Sequence, residues 1–192
     1  MKRILVFIII FISTISNISA EDIKRITVGN IDAKITIIAF ESLTCSHCAN
    51  FHKDIYPQLK KEYLDTGLAK IEFRHFPLDI AAFNASKISQ CKNDGESDLL
   101  HALFSGQKKW AIGKTPEEAT EHLKRFLIDE DVRVNFEKCL ANKTIEDFVL
   151  NDRIEGAKKF KVNATPTIII NNKKFDKTLN YKNLKKTLEK LI

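Results

Sequence analysis

Residues 34–52 read KITIIAFESLTCSHCANFH, and this stretch decides the fold. Its first seven residues are nearly all apolar and several are β-branched, which is typical of a strand buried on both faces. Phe51, Ile55 and Leu59 then recur every four positions, so a helix should follow with these side chains facing inward. Pro57 lies inside this helix and removes one backbone donor, which predicts a kink.

A second strand and a long helical region come next. Residues 69–76 (AKIEFRHF) have the composition of a strand, and strand, helix and strand at this spacing predict a βαβ unit with parallel strands. From Asp79 to Asn142 the apolar residues recur at helical spacing, and the sequence TPEE at 115–118 is a helix-start signal. We expect one more helical stripe in this region, at Val132, Phe136 and Leu140.

The C-terminal part returns to mixed structure. We expect Thr144 to cap a long helix ending near Lys161, and Leu184, Leu188 and Leu191 to face inward from a terminal helix. Between these helices we expect a strand at 165–170, a turn at 171–172 and a short strand at 174–175. The plan is a small α/β domain, residues 21–78 and 144–192, with a helical insertion at 79–143.

Composition and the N-terminus limit the classes of function. The chain has 192 residues, a formal charge of +6 and 44% hydrophobic residues, which excludes a disordered chain, and its lysines are scattered as on a solvated surface. Residues 1–20 combine a basic start, an apolar run from Ile4 to Ile12 and Ala20, the pattern of a cleavable secretory signal peptide. The alternative, an uncleaved anchor, needs about 20 apolar residues. Export places the cysteines where disulfides persist.

The Cys45-Ser46-His47-Cys48 sequence lies where the first buried strand leads into its helix. A cysteine at a helix N-terminus faces unpaired backbone N–H groups and the positive end of the helix dipole, and both favour the thiolate. A stabilised thiolate makes the disulfide easier to reduce, so the protein becomes a stronger oxidant. Cys45 is therefore the sulfur expected to exchange with substrate, and Cys48 the resolving thiol. The alternatives are half of a structural zinc site and an inert disulfide.

The chain resembles the DsbA-like thiol–disulfide oxidoreductases of bacterial periplasms, which have a thioredoxin fold. The matching stretches are IIAFESLTCSHCANFH at 37–52, EFRHFPLD at 72–79 and VNATPTIIINNKKF at 162–175. The resemblance implies a thioredoxin fold with an inserted helical domain, Cys45 as nucleophile, Cys48 as resolving cysteine, and Ser46-His47 as the dipeptide that tunes the thiolate.

Two further positions follow from the resemblance. Thr165-Pro166 matches the loop where the family holds a cis proline beside the active centre, which would leave the Thr165 backbone free to pair with an extended substrate; the alternative is a trans proline opening an edge strand. The family often has a buried acid six residues before the first cysteine, where this chain has Ala39. Glu41 lies two residues later on the same strand face, either as a substitute for proton transfer or as a solvated residue.

The other two cysteines, Cys91 and Cys139, lie in the helical insertion. With Cys45 paired to Cys48, they are left to each other, and a bridge would contribute up to roughly 4 kcal/mol through loop closure. The alternative is a pair of buried free thiols. The bridge is expected to hold the insertion over the active centre and to tune that centre, with no exchange of its own.

These patterns together predict a periplasmic dithiol oxidase that introduces disulfides into reduced, unfolded exported proteins, with no cofactor or metal. The resemblance implies re-oxidation by a quinone-linked membrane partner of the DsbB type. The alternatives are a disulfide isomerase or reductase with the same centre, and a non-enzymatic envelope or chaperone-like protein.

Overall fold

The computed structural model describes residues 22–192, so the predicted signal peptide at 1–20 lies outside the described residues. A five-stranded sheet with the order β1-β3-β2-β4-β5 forms the centre. β2 and β3 run parallel, which confirms the predicted βαβ unit, and the other neighbours are antiparallel. The strands are β1 (Thr27–Gly29), β2 (Ile35–Glu41), β3 (Ala69–His75), β4 (Thr167–Ile170) and β5 (Lys173–Lys174).

Helix α1 connects β2 to β3 and begins directly after Cys45. It alternates between two geometries, with α-helical turns at Ser46–Asn50 and Tyr56–Leu59 and π-helical turns at Phe51–Ile55 and Lys60–Leu64. The irregularity expected at Pro57 takes the form of the π-helical turn that precedes it. Phe51 and Leu59 are buried in the core as predicted, and Ile55 is half-buried against it.

After β3, the described residues form five helices in the insertion and two more in the C-terminal part. Their bounds are α2 (Ile80–Ser89), α3 (Asp98–Ser105), α4 (Gln107–Trp110), α5 (Pro116–Asp129), α6 (Phe136–Ala141), α7 (Lys143–Lys159) and α8 (Tyr181–Leu188). The start signal at 115–118 is confirmed, since the Thr115 side chain accepts a hydrogen bond from the Glu118 amide. Within residues 22–192, no helix is long and apolar enough to cross a membrane.

Three local predictions were wrong, and one strand was missed. Val132 lies in a loop, because α5 ends at Asp129 and α6 begins only at Phe136. Helix α7 is capped by Asn142 and not by Thr144, since the Asn142 side chain accepts from the amide of Ile145. Leu191 is exposed because α8 ends at Leu188. The edge strand β1 was not predicted at all.

The residues of β2 alternate between two hydrophobic layers. Ile37 and Ala39 belong to the larger core, whereas Ile38 and Phe40 face a smaller cluster that contains residues from the end of α7 and beyond it. This explains why the strand is apolar on both faces. Helix α7 packs closely against the face of β2 that carries Phe40. A Cβ atom at Gly156 would lie only 2.8 Å from the Phe40 ring, so the absence of a side chain there permits this approach.

Candidate active site

The two cysteines of the CxxC sequence occupy different environments at the start of α1. Cys45 is the N-cap residue, and its carbonyl accepts hydrogen bonds from the amides of Cys48 and Ala49. Its side chain is half-buried, while Cys48 one turn later is fully buried, and both are free thiols. The site therefore has one accessible sulfur and one shielded sulfur. Ser46 and His47, between them, are exposed.

The same placement separates the acidities of the two thiols. A hydrogen bond from the Cys48 side chain lowers the pKa of Cys45 to about 5, with further contributions from Thr165 and from the amides of Cys48 and His47, against partial burial. Burial raises the pKa of Cys48, and its neighbours Cys45 and Glu41 raise it further. At neutral pH Cys45 is a thiolate and Cys48 a thiol, which suits a nucleophile and a resolving group.

The Thr165-Pro166 loop lies directly beside Cys45. The peptide bond between these two residues is cis, and the Cys45 sulfur lies 3.3 Å from the Thr165 carbonyl oxygen, to which it donates a hydrogen bond when it is protonated. The predicted strand began here, but β4 starts only at Thr167, because Pro166 has no N–H to contribute to a ladder. A cavity of about 560 Å³ adjoins the loop and is lined by residues from three parts of the chain: His47, Asn50, Phe51, Thr165, Pro166 and Tyr181 among them.

Gln107 of the helical insertion holds the segment in front of the cysteines. Its side-chain amide donates to the carbonyl of Leu43 at 2.8 Å and to that of Cys45 at 3.0 Å. Gln107 is itself buried, so these two bonds replace water for both carbonyls. Sequence reasoning missed this residue, because a single glutamine in a helical region carries no signal of its own.

Glu41 lies at the end of β2 and is buried, so it is not a solvated residue at the strand end. Its Oε2 atom is 2.9 Å from the Nε2 of His52, whereas its Oε1 atom has no hydrogen-bond partner among residues 22–192. Burial raises the pKa of Glu41 against the opposing effect of His52. Ala39, at the position where the family often has its acid, is fully buried.

Two histidines continue from Glu41 into the protein. His52 is buried, stacks on the Phe104 ring at a centroid distance of 4.1 Å, and places its Nδ1 atom 2.8 Å from the Nδ1 of His101. Burial lowers the pKa of His101 to about 3, so this ring is neutral at pH 7. Sequence reasoning missed His101 and did not connect His52 with Glu41. No group of three or more metal-binding side chains occurs in the described part of the chain.

Cys91 and Cys139 lie away from this site, in the helical insertion. A disulfide joins them, with their Cα atoms 5.5 Å apart. Cys91 lies in the turn after α2, and Cys139 belongs to α6, so the bond connects this turn to α6 across a sequence separation of 48 residues. The four cysteines thus form two pairs in different states, one free and one bonded.

The chain is similar to known proteins in both sequence and structure. A family model described as thioredoxin matches residues 21–190. A putative protein-disulfide oxidoreductase of Rickettsia bellii is 28% identical over 154 residues, which are 78% of this chain and 58% of that protein. Disulfide bond formation protein D of Bacillus subtilis is 26% identical over 176 residues, which are 84% of this chain and 74% of that protein.

Among solved structures, α-DsbA1 of Wolbachia pipientis is similar with a TM-score of 0.77 and 29% identity, over 87% of this chain and 90% of that chain. BdbD of Bacillus subtilis in its oxidised form has a TM-score of 0.68 and 25% identity, over 87% and 92%. The chain spans only 58% of the length of the Rickettsia bellii relative and 54% of that of a second one, from Rickettsia conorii.

Proposed function

Because the chain belongs to the thioredoxin family, we propose that it is a disulfide oxidoreductase of the DsbA type that introduces disulfide bonds into exported proteins. One observation carries the proposal: a half-buried cysteine with a pKa of about 5 caps a helix one turn before a fully buried cysteine. Only the outer sulfur is accessible to another protein, so thiol–disulfide exchange is directed to Cys45.

The reaction begins from the Cys45–Cys48 disulfide. A substrate thiolate attacks the sulfur of Cys45, a mixed disulfide forms, and the electron pair of the broken bond goes to Cys48, which takes up a proton. A second substrate thiolate then attacks the substrate sulfur of the mixed disulfide and displaces Cys45 as a thiolate. The substrate has lost two electrons and gained a disulfide, and the enzyme is left with Cys45 and Cys48 reduced.

The acidity of Cys45 supports the direction of oxidation. A leaving thiolate with a low pKa departs readily, and its stability favours the reduced form of the enzyme over the oxidised form. An isomerase or reductase uses the same chemistry from a centre that is kept reduced. The proposed oxidase needs a re-oxidising partner, for which a quinone-linked membrane protein of the DsbB type is our candidate.

Substrate contact is proposed at the Thr165-Pro166 loop and the cavity beside it. The Thr165 carbonyl oxygen lies 3.3 Å from the Cys45 sulfur. A substrate joined to Cys45 by a mixed disulfide would therefore lie beside this carbonyl, which would accept a hydrogen bond from one of its backbone N–H groups. Exposed Ser46 and His47 would then border the same substrate.

Oxidation of a reduced two-cysteine peptide by the oxidised protein tests the proposal. We expect Cys45→Ser and Cys48→Ser both to abolish peptide oxidation, because neither variant can form the Cys45–Cys48 disulfide. When the peptide is supplied in its disulfide form instead, Cys48→Ser should accumulate a mixed disulfide at Cys45, because no second thiol resolves it, and Cys45→Ser should not. The double variant Cys91→Ala/Cys139→Ala is the control, since that disulfide lies outside the site, and it should still oxidise the peptide. Undiminished oxidation by Cys45→Ser would show that the CxxC sequence is not the reacting centre.

Equilibration of the CxxC pair with glutathione decides between oxidase and isomerase or reductase. An oxidase should equilibrate at a high potential and unfold at a higher temperature when reduced than when oxidised. A more stable oxidised form would favour the reductase alternative.

A further inference from the structure

A continuous chain of hydrogen-bonded side chains leads away from the CxxC centre. Glu41 Oε2 and His52 Nε2 are 2.9 Å apart, and His52 Nδ1 and His101 Nδ1 are 2.8 Å apart. Both nitrogens of the middle ring are therefore engaged. The two terminal atoms, Glu41 Oε1 and His101 Nε2, are buried and have no partner within residues 22–192. Within residues 22–192, the facing atoms of these three side chains are therefore all paired, and only the two terminal atoms lack a partner.

Glu41, at the inner end of this series of side chains, interacts electrostatically with Cys48. His52 lies one turn after Cys48 on α1 and contacts Glu41 at the end of β2, which places the Glu41 carboxyl group beside the turn that carries Cys48. When ionised, Glu41 raises the pKa of Cys48. Cys48 is fully buried, so the thiolate that forms there when the disulfide opens cannot take its proton directly from bulk water. A buried carboxylic acid whose pKa is raised is a suitable immediate proton donor.

The outer end lies at a cavity of about 670 Å³ between α1 and the helical insertion. His52 and His101 both line it, together with residues that are exposed on the surface: Ser46, Asn50, Lys53, Ser105 and Lys108. The exposed lining means that the cavity communicates with solvent. His101 Nε2 itself is buried, so the last proton exchange is assigned to a water molecule that enters the cavity. This face differs from the cavity at Thr165-Pro166, where substrate contact is proposed.

We propose that Glu41, His52 and His101 form a proton relay between Cys48 and the solvent in this cavity. The inference rests on the proposed function and extends it. When the Cys48 sulfur receives the electron pair of the broken disulfide, the Glu41 acid gives it a proton. His52 Nε2–H then gives a proton to Glu41, His101 Nδ1–H gives one to His52 Nδ1, and water gives one to His101 Nε2. One proton enters and one reaches sulfur, and re-oxidation runs the same path in reverse.

The packing around the two rings suits this role. His52 is stacked against Phe104 and also contacts the ring of Phe73, and His101 lies at a centroid distance of 4.4 Å from Tyr56. The rings are therefore held in the orientation in which their nitrogens meet. Because His101 is neutral at pH 7, it passes a proton on without storing a charge in the interior.

Chemical rescue tests the relay. The measured quantity is the single-turnover rate at which a reduced peptide reduces the oxidised protein. We expect His101→Gly to slow this step about 100-fold, the lower end of the contribution of a general acid–base group, and added imidazole to restore most of the rate through the enlarged cavity. His101→Phe should be equally slow without rescue, because the ring fills the space but carries no proton. His122→Gln, in helix α5, is the matched histidine control and should retain the wild-type rate with or without imidazole.

A second readout separates a relay from a structural or electrostatic role. A relay changes the rate in both directions and leaves the end states alone, and His101 is uncharged at pH 7, so the His101→Phe protein should equilibrate with glutathione at the wild-type ratio. Unchanged rates in both His101 variants, failure of imidazole to rescue His101→Gly, or a shifted glutathione equilibrium would each overturn the relay. A wild-type protein that oxidises no peptide would instead refute the proposed function, so the two failures are distinguishable.

Discussion

The acidity of Cys45 makes the stability of the reduced protein depend on pH in a definite direction. Its pKa is about 5 in the folded protein and 9.0 without the influence of the fold. An acid whose pKa is lowered by folding contributes nothing below the folded pKa, and its contribution rises through the interval up to the unfolded pKa. The stabilisation from Cys45 should therefore be absent near pH 5, grow from pH 5 to 9, and be lost again on acidification.

The magnitude follows from the same two values. At pH 7 the solution lies two pH units above the folded pKa, and each unit corresponds to about 1.4 kcal/mol, which gives an upper value of roughly 2.7 kcal/mol. Cys45 is only half-buried, so solvent screening reduces this, and we expect about 1–1.5 kcal/mol. The reduced form gains this stabilisation and the oxidised form does not, which is equivalent to about 20–30 mV toward a more oxidising centre.

Urea unfolding of the reduced wild type and of reduced Cys45→Ser at pH 5 and pH 7 measures this contribution. The variant lacks the ionisable sulfur and keeps the other titrating groups, so their shared pH dependence cancels in the difference. The difference in unfolding free energy should widen by about 1–1.5 kcal/mol between the two pH values. The pH profile of Cys45 alkylation gives an independent value, with a midpoint expected near 5. A difference that stays constant with pH, or an alkylation midpoint near 9, would show that the fold does not lower the pKa of Cys45.

Two more predictions concern the surroundings of the site. Gln107→Ala removes the side-chain donor to the Leu43 carbonyl and one of the three donors to the Cys45 carbonyl, which should lower the unfolding free energy in urea by about 1–3 kcal/mol and slow peptide oxidation; unchanged stability would mean that water replaces the amide. Cys91→Ala/Cys139→Ala should lower the unfolding free energy by about 2–4 kcal/mol and shift the equilibrium of the CxxC pair with glutathione, because the bond stabilises the insertion that contacts Cys45 through Gln107; an unchanged equilibrium would show that the second disulfide does not tune the first.

Much of the architecture could be predicted because it is encoded locally. β2 and β3 are continuous β-branched or alternating runs, and the TPEE sequence at 115–118 carries its own capping groups. The errors occurred where the local signal was weak or ambiguous. β1 has three residues and owes its strand geometry to pairing with β3. Thr144 and Asn142 are both good caps by residue type, and only the backbone path selects Asn142.

The candidate site likewise has features that could be predicted from the sequence and features that could not. The placement of Cys45 at a helix start is a property of neighbouring residues, so the sequence predicted an accessible cysteine and a shielded one. The environment of Glu41 was left open, because the same strand pattern is compatible with a solvated carboxylate and with a buried one. Its partner His52 is eleven residues away and lies on a different element, so no spacing rule connects them.

The sequence by itself therefore determined the class of chemistry, since a buried strand, a CxxC sequence and a helix are adjacent in the chain. The tertiary structure decided the groups that surround the two sulfurs. Thr165 reaches Cys45 across 120 residues, Gln107 reaches it across 62, and His101 reaches His52 across 49. Contacts at such separations depend on how the helical insertion and β4 pack against α1, and periodicity or capping within one segment contains no information about that packing.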